Sequence, residues 1–400
     1  MKQNTTSPMT LREWLPLVGL TISAFIFNSS EFMPIGLLTD IASTFDITEA
    51  HAGLLMVFYA WTVMIMSLPL MIAASRVEYR LLLLCVIAFF GICQVFSAIS
   101  TSFAMLMASR IGVACAHAIF WSIAAPLGVQ VVSKSHQALA LSAITTGTSI
   151  AMVFGLPLGR MVGLYMGWRM PFALVAATSF LVCFYLIAVF PKVPSPGAFS
   201  LKELPGLFHN PALMALYLLV FLTSSAYFTG YSYIEPFLLQ VAGLSDDWVT
   251  AALMIFGGVG ILGTFLFARF YPWMRLAFIA LVIISMTASL FLLLPAARFF
   301  DTSILICAFW GVAATMYNVT INSEVIRVVT LKEAAVATSM MSGIYNLGIG
   351  FGTWTGGIVT SHLSIAYVGI AGGAMGIFAI LSCLFCFLPS LRKRGNRPII

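Results

Sequence analysis

The chain has 400 residues, of which 61% are hydrophobic and only 8% are charged. Soluble domains contain about 25% charged residues, so this composition excludes a water-soluble fold. The formal net charge is +6, but the lysine and arginine residues lie in short, spaced pairs between apolar runs and not in one patch, so we expect no nucleic-acid partner.

Twelve apolar runs follow one another along the chain, each long enough to cross a bilayer, which takes about 20 residues. The first run is longer than the apolar core of a secretion signal and has no small-residue cleavage pattern, so we predict a retained first span. The sequence therefore predicts an all-α membrane protein with twelve transmembrane helices. The runs fall near residues 15–38, 52–74, 81–99, 103–125, 138–163, 170–190, 212–235, 249–270, 276–296, 302–324, 335–360 and 364–389.

The basic residues predict the orientation of the spans, because cytoplasmic loops contain an excess of lysine and arginine. With twelve spans, the basic loops and both termini lie on one side, and only Arg169 and Arg298 lie on the other. Arg110 and Arg160 lie within spans. We therefore predict a multi-pass protein of the cell inner membrane with both termini in the cytoplasm.

The longest connection between spans is polar, rich in proline and halfway along the chain. It predicts a cytoplasmic linker between two six-helix halves. The expected organisation is an N-terminal half at 1–190, the linker at 191–211 and a C-terminal half at 212–400.

Spans 1 and 4 each contain a charged residue at a similar depth. A charge in hydrocarbon costs at least about 2.5–3.5 kcal/mol, which makes such residues functional candidates. Glu31 and Arg110 both lie about 10 Å below the outer surface, given a rise of about 1.5 Å per residue. They form either a proton-coupling site, in which a changing cavity alters the proton affinity of the carboxylate, or a permanent ion pair between two helices.

Span 4 also presents a stripe of Arg110, Ala114, His117 and Trp121 at helical spacing. An aromatic face beside hydrogen-bonding groups suits a sugar, whose ring has an apolar face surrounded by hydroxyls. The alternatives are an interhelical hydrogen bond for His117 and an interfacial anchor for Trp121.

Spans 5 and 11 contain glycines at four-residue spacing, and such ridges let two helices approach closely. The ridge is either a hinge or sliding seam or a place of static packing, because glycine spacing does not distinguish them. Together with a glutamate beside a proline in spans 1 and 7 (Glu31 and Pro34, Glu235 and Pro236), the ridges indicate an internal repeat. The ridge residues are Gly155, Gly159, Gly163 and Gly167 in span 5, and Gly348, Gly352 and Gly356 in span 11.

Span 7 places Tyr227, Tyr231 and Glu235 on one face. Such a polar stripe is costly against lipid and is expected to face a water-filled cavity, with Glu235 as a second candidate for proton coupling. The alternative for Glu235 is a position at the interface, where its side chain would reach water.

Further candidates for binding a substrate lie in spans 1, 10 and 11. They are Asn28, Trp310, Asn318 and Asn346. Each amide could instead cross-link two helices, at an average of about 0.6 kcal/mol for such bonds in membranes.

Three segments resemble the major facilitator superfamily, and more narrowly are similar to SotB-type sugar efflux transporters of its drug/proton antiporter branch. They are ISAFIFNSSEFMPIGLLTDIA, SRIGVACAHAIFWS and GTSIAMVFGLPLGRMVGLYMGWRMPF. The resemblance extends over the whole chain and implies the facilitator fold of two six-helix halves, proton-coupled efflux, and sugars or sugar analogues as cargo.

Two of the superfamily's motifs are retained here and one is degenerate. The span 4 motif is Arg110-Ile111-Gly112, and the antiporter motif of span 5 is Gly147 with Gly155, Pro157 and Gly159, which favours exchange over co-transport. The loop 2–3 motif has Met71 and Ser75 where the family has glycine and aspartate, and it retains Arg76 and Arg80. Glu78 is the candidate that could partly substitute for the missing acid.

No phosphate-binding loop, nucleophile elbow or zinc-protease motif is present in the sequence, and its seven cysteines all lie in hydrophobic runs. We therefore expect no enzyme activity, no cofactor and no metal. The expected function is proton-coupled secondary active efflux of small sugars or sugar analogues across the inner membrane. A multidrug/proton antiporter and a sugar uptake symporter are the alternatives. The expected partners are a small-molecule substrate, protons and membrane lipid, with the protein as a monomer.

Overall fold

The computed structural model describes residues 9–74, 77–194, 208–330 and 333–393. These ranges consist of α-helices joined by short turns, with no β-strand among them. The fold is therefore all-α, as the sequence predicts. The helices are α1 (Leu11–Phe32), α2 (Leu38–Phe45), α3 (Glu49–Ala74), α4 (Tyr79–Ala98), α5 (Phe103–Gln130), α6 (Gln137–Met166), α7 (Arg169–Val189), α8 (Pro211–Tyr231), α9 (Ile234–Gln240), α10 (Asp246–Gly258), α11 (Gly260–Ala296), α12 (Phe300–Arg327), α13 (Ala334–His362), α14 (Val368–Ser382) and α15 (Leu388–Lys393).

Polar residues set where several of these helices begin. At the start of α5, the Ser102 hydroxyl accepts a hydrogen bond from the Met105 N–H at 3.2 Å. At the start of α8, the Asn210 side chain accepts one from the Leu213 N–H at 3.2 Å, and Pro211 follows at the first helical position. Such caps satisfy N–H groups that a helix start leaves unpaired.

In the described part of the chain, ten helical runs are long and apolar enough to cross a membrane. One of them, Asp246–Ala296, has 51 residues and contains a kink at Met274, so it is long enough for two crossings. The 29-residue helix α13 is a further helix of sufficient length. The predicted count of twelve fits this arrangement.

The chain packs into two compact units. The first comprises the described residues of Met1–Met33 and Ile65–Phe199, and the second comprises those of Pro34–Met64 and Ser200–Ile400. The predicted division at residues 191–211 stays a prediction, and residues 195–207 of that linker lie outside the described ranges.

Each unit contains the same set of helix pairs. In the first unit, α1 packs on α6, and α4 packs on α5 and α7. In the second unit, α8 packs on α13, and α11 packs on α12 and α14. In terms of the predicted spans, the pairs 1–5, 3–4 and 3–6 correspond to the pairs 7–11, 9–10 and 9–12. This correspondence is what an internal repeat predicts.

Spans 1 and 7 are both broken near a glutamate. Helix α1 ends at Phe32, one residue after Glu31, and a 3-10 turn with Pro34 separates it from α2. Helix α8 ends at Tyr231, and α9 begins three residues later with Glu235 in its first turn. Proline has no N–H to donate and interrupts a helix, which accounts for the break in span 1.

Candidate functional site

In the first unit, the structure brings Glu31, Arg110 and His117 together in a buried cluster. The side chains of Arg110 and Glu31 are 0% and 7% exposed. Arg110 donates through Nη1 to the Ser30 hydroxyl at 3.1 Å and through Nη2 to the Glu31 backbone carbonyl at 3.2 Å. His117 Nε2 lies 3.7 Å from Glu31 Oε2. The cluster therefore combines an acid, a fixed cation and an imidazole out of contact with solvent.

The break in span 1 explains how Arg110 binds the backbone. The last carbonyl groups of a helix have no partner within it. The carbonyl of Glu31 is one of these groups, and the guanidinium of Arg110 satisfies it. The arginine of the span 4 motif therefore binds the end of the first helix of span 1.

Aromatic side chains line this cluster. Phe27 on α1 stacks between Phe90 and Phe120, with ring centroids 4.0 and 4.3 Å apart. Trp121 lies 6.0 Å from the His117 ring and is only partly buried. His117 therefore lies beside Glu31, and Trp121 lies next to His117 on the same face of α5, as the spacing in span 4 predicts.

Asn28, one turn before Glu31, forms an interhelical contact. Its Nδ2 lies 3.4 Å from the Thr148 carbonyl on α6. This bond is the cross-link considered as the alternative to substrate binding, and the binding role stays a prediction.

The antiporter motif forms the contact between α6 and α1. A methyl group on Gly155 would lie 2.7 Å from Ser29 Oγ, and one on Gly159 would lie 2.7 Å from Met33 Cγ. Gly147 faces the backbone of Thr21 in the same way. Pro157 is buried within α6, which continues through it. In the second unit, Gly348, Gly352 and Gly356 of α13 approach α8 equally closely.

In the second unit, three candidate residues meet in an aromatic cluster. Tyr227 stacks on Tyr231 with centroids 4.8 Å apart, and Trp310 lies edge-on to both at 5.5 and 6.0 Å. Phe256 completes the cluster at 5.1 Å from Tyr231. The Trp310 indole N–H is buried and has no hydrogen-bond partner among the described residues. We define Tyr227, Tyr231, Phe256 and Trp310 as the aromatic cluster.

The two amides of spans 10 and 11 differ in their surroundings. Asn346 donates to the Ser342 carbonyl at 3.0 Å, whereas its Oδ1 is buried without a partner in the described ranges. Asn318 is half-buried and accepts hydrogen bonds from Asn322 Nδ2, one turn along α12. Among the described residues, Asn346 therefore has an amide oxygen that can still accept a hydrogen bond, whereas the amide oxygen of Asn318 already accepts one from its own helix.

Glu235 is buried and binds the start of α2. Its Oε2 accepts hydrogen bonds from the Thr39 hydroxyl at 2.9 Å and from the Thr39 N–H at 3.3 Å. The side chain is only 1% exposed. Both residues belong to the second unit, and the role of Glu235 in proton coupling stays a prediction.

Sequence reasoning missed a buried acid in span 10. Glu324 is 0% exposed and binds Arg275 through two bonds, Nε to Oε1 at 2.7 Å and Nη2 to Oε2 at 2.5 Å. The Tyr271 hydroxyl donates to the same carboxylate. The sequence signal for Glu324 is an acidic residue at the end of an apolar run. Phe256 was also missed, since an isolated phenylalanine in an apolar span carries no signal.

The degenerate loop 2–3 motif is described only in part, because Ser75 and Arg76 lie outside the described residues. Glu78 caps α4 by accepting hydrogen bonds from the N–H groups of Arg80 and Leu81, and it also accepts one from the Val193 N–H at 2.8 Å. It therefore joins the start of α4 to the segment after α7.

The described residues contain no group of three or more histidine, cysteine, aspartate or glutamate side chains that could hold a metal ion. The Glu31 cluster offers charge and hydrogen bonds, and the aromatic cluster offers ring surface and a buried N–H donor.

Two buried clusters of polar and aromatic side chains lie inside an all-α set of membrane-length helices, an arrangement typical of membrane transport proteins. The sequence profile of the Major Facilitator Superfamily matches residues 20–353. The chain therefore belongs to the major facilitator superfamily, and it is a membrane transporter and not an enzyme.

Two crystal structures of a bacterial homologue of the human lysosomal transporter Spinster are similar to this chain. The inward-facing, unoccupied form has a TM-score of 0.77 at 18% identity and covers 98% of this chain and 99% of its own. The inward-facing, occupied form has a TM-score of 0.73 at 19% identity and covers 96% and 98%. At these identities the similarity shows the shared fold.

Proposed function

We propose that this transporter exports small sugars or sugar analogues across the inner membrane in exchange for protons. The observation that carries the proposal is the buried carboxylate of Glu31, with His117 Nε2 at 3.7 Å and Arg110 bound to the adjoining backbone. A buried carboxylate is stable when it is either paired or protonated. A change in its surroundings during transport would therefore load or release a proton.

Exchange is favoured over co-transport by the antiporter motif, whose glycines lie against the helix that carries Glu31. A proton-loaded and a cargo-loaded state would alternate in such a cycle. Uptake by symport would need no further residue, but proton and cargo would have to be bound in the same half of the cycle. It remains the alternative to exchange.

The aromatic cluster supports a cargo with both an apolar face and hydroxyl groups. Aromatic rings pack against the C–H face of a sugar. The Trp310 N–H and Asn346 Oδ1 have no hydrogen-bond partner among the described residues, and a hydroxyl group could accept from the first or donate to the second. The similarity of three segments to SotB-type transporters points to the same cargo. An amphiphilic drug would use the aromatic rings and leave these two polar atoms unpaired, which makes multidrug transport the second candidate.

The test is transport in vesicles reconstituted with the purified protein, using a panel of labelled sugars and amphiphilic cations with and without an imposed pH gradient. Our proposal predicts sugar movement against its gradient, driven by an opposing proton gradient. Movement of amphiphilic compounds alone would support the multidrug alternative. Sugar movement in the same direction as protons would support symport.

The first prediction concerns Glu31→Gln in the same vesicles. An amide cannot carry the proton, so we expect coupled efflux to fall at least about 100-fold, the lower range for loss of a proton-transfer group, with the protein still inserted and folded. The matched control is Glu49→Gln, the same change at a partly exposed acid outside the cluster, which should transport normally. Normal coupled efflux by Glu31→Gln would remove Glu31 from the mechanism.

A further inference from the structure

Gln94 is a fully buried amide in the middle of an apolar helix. Its exposure is 0%, and the most apolar window of α4 has a mean hydropathy of 2.5. An uncharged polar side chain in such a helix is unfavourable unless another group binds it. Neither the transport mechanism above nor the helix packing requires an amide at this position.

The side chain of Gln94 reaches the Glu31 cluster through one intermediate residue. Gln94 Nε2 donates a hydrogen bond to the Ser30 hydroxyl. The same hydroxyl accepts the bond from Arg110 Nη1 at 3.1 Å. Ser30 thus lies between the amide of span 3 and the guanidinium of span 4.

The helices that carry these residues pack closely on one another. The Phe27, Phe90 and Phe120 stack joins α1, α4 and α5, with Phe27 and Phe90 about one turn from Ser30 and Gln94. A methyl group on Gly112 would lie 2.6 Å from Cys93 Sγ, so α4 and α5 are in close contact beside Gln94. We therefore expect a change in the hydrogen bonds of Gln94 to act on Arg110 through Ser30.

The second polar atom of the amide, Oε1, is buried without a hydrogen-bond partner in the described part of the chain. A buried acceptor in this state is unfavourable, and an apolar side chain of the same size would avoid it. Stabilisation of the fold is therefore a poor explanation for Gln94. A role in the Glu31 cluster explains it better.

We propose that Gln94 is a positioning residue that fixes Arg110 beside Glu31 by holding the Ser30 hydroxyl. This inference rests on the proposed coupling role of Glu31. The charged and titratable groups of the cluster are Glu31 on α1 and Arg110 and His117 on α5. The neighbouring helices add Arg160 on α6, which is buried, and Arg169 on α7, which donates to the Ser100 carbonyl at 2.9 Å.

The test is infrared difference spectroscopy of the purified protein against pH. The carboxyl band that disappears in Glu31→Gln reports protonation of Glu31 without any need for transport. Gln94→Met keeps the length of the side chain and removes both polar atoms. In this variant Arg110 should be held less firmly and should stabilise the Glu31 carboxylate less. We therefore expect the carboxyl band to appear at a pH about one unit higher than in the wild type, which is the size of effect expected from one net hydrogen bond.

Ser30→Ala removes the intermediate hydroxyl and should shift the band in the same direction. This variant also tests the inference if Gln94→Met does not fold. The double variant should shift no further than the larger single shift, because both changes break one connection. Gln130→Met, the same change at an exposed glutamine, is the matched control and should leave the band where it is in the wild type.

An unchanged band in a folded Gln94→Met would overturn the inference, and so would additive shifts in the double variant. Failure of the proposed function has a different signature. In that case Glu31→Gln would retain coupled efflux, while the comparison of Gln94→Met with the wild type would still show whether Gln94 acts on Arg110.

Discussion

The indole nitrogen of Trp310 is a donor placed in the aromatic cluster with no partner of its own in the described structure. Trp310→Phe keeps an aromatic ring and removes this donor. If the donor binds cargo, we expect KM for the transported sugar to rise about 2- to 10-fold with little change in maximal rate, since a net hydrogen bond contributes roughly 0.5–1.5 kcal/mol. Initial rates in vesicles over a range of sugar concentrations measure both.

Trp354→Phe is the control for this measurement, because Trp354 is 45% exposed and lies outside the aromatic cluster. An unchanged KM in Trp310→Phe would show that the indole N–H does not bind cargo.

Glu78 links pH to stability at the start of α4. Burial alone would raise the pKa of its carboxyl group, but hydrogen bonds from the N–H groups of Val193, Arg80 and Leu81 and the charge of Arg80 outweigh it, so the pKa is lowered. A carboxyl group with a lowered pKa in the folded state stabilises the protein above its unfolded pKa, and this contribution is lost as the pH falls through the folded value.

We therefore expect Glu78→Gln to lower Tm by about 1–2 °C at neutral pH, the size of a weakened helix cap. The difference in Tm between Glu78→Gln and the wild type should become smaller as the pH falls below about 4, near the ordinary glutamate pKa. Thermal unfolding in detergent at several pH values measures this. A difference that stays constant over the whole pH range would contradict the assignment.

At the scale of the element, the glycine ridge of α6 sets how closely α6 approaches α1. A methyl group at Gly155 would lie 2.7 Å from Ser29 Oγ, which is closer than atoms tolerate. We expect Gly155→Ala to force the helices apart and to destabilise the protein by about 1–3 kcal/mol, as overpacking does. Thermal unfolding in detergent checks this value.

Gly343→Ala is the matched control, because a methyl group at Gly343 on α13 would meet nothing within 4 Å. Alanine also favours the helix by about 1 kcal/mol over glycine. The control should therefore be as stable as the wild type or slightly more stable. Equal effects at the two positions would show that close packing does not explain the ridge.

The elements were largely predictable because the length and hydropathy of an apolar run identify a membrane helix. The break in span 1 was not predicted, since the run at 15–38 predicts one continuous helix although it contains Pro34. The contacts between elements were harder to predict. The depth of Glu31 and Arg110 along their helices indicated that the two residues could meet. The spacing did not show that Arg110 binds the backbone carbonyl and that His117 faces the carboxylate, because these contacts depend on how α1 and α5 are rotated about their axes.

The ion pair between Glu324 and Arg275 was not predicted. Glu324 and Arg275 are 49 residues apart in the chain and meet only because α11 packs on α12. The role of Gln94 was not predicted for a related reason. One glutamine in an apolar run indicates a buried polar group, but the sequence does not show which residue on another helix it binds.

At the scale of the whole molecule, the distribution of basic residues predicts twelve spans with both termini in the cytoplasm. A fluorescent protein fused to the C-terminus should therefore fluoresce, and a phosphatase that is active only outside the cytoplasm should be inactive there. The same phosphatase placed after Arg169, in the predicted outer loop between spans 5 and 6, should be active. An active C-terminal phosphatase would require an odd number of spans or the opposite orientation, and an inactive phosphatase after Arg169 would indicate the opposite orientation.

A serine hydroxyl and a peptide carbonyl both accept hydrogen bonds from Arg110, and neither group changes its charge within the pH range in which proteins fold. Ionisation of the neighbouring acid therefore does not by itself remove these two acceptors. If Glu31 takes up and releases protons as we propose, the guanidinium would keep both bonds in either protonation state.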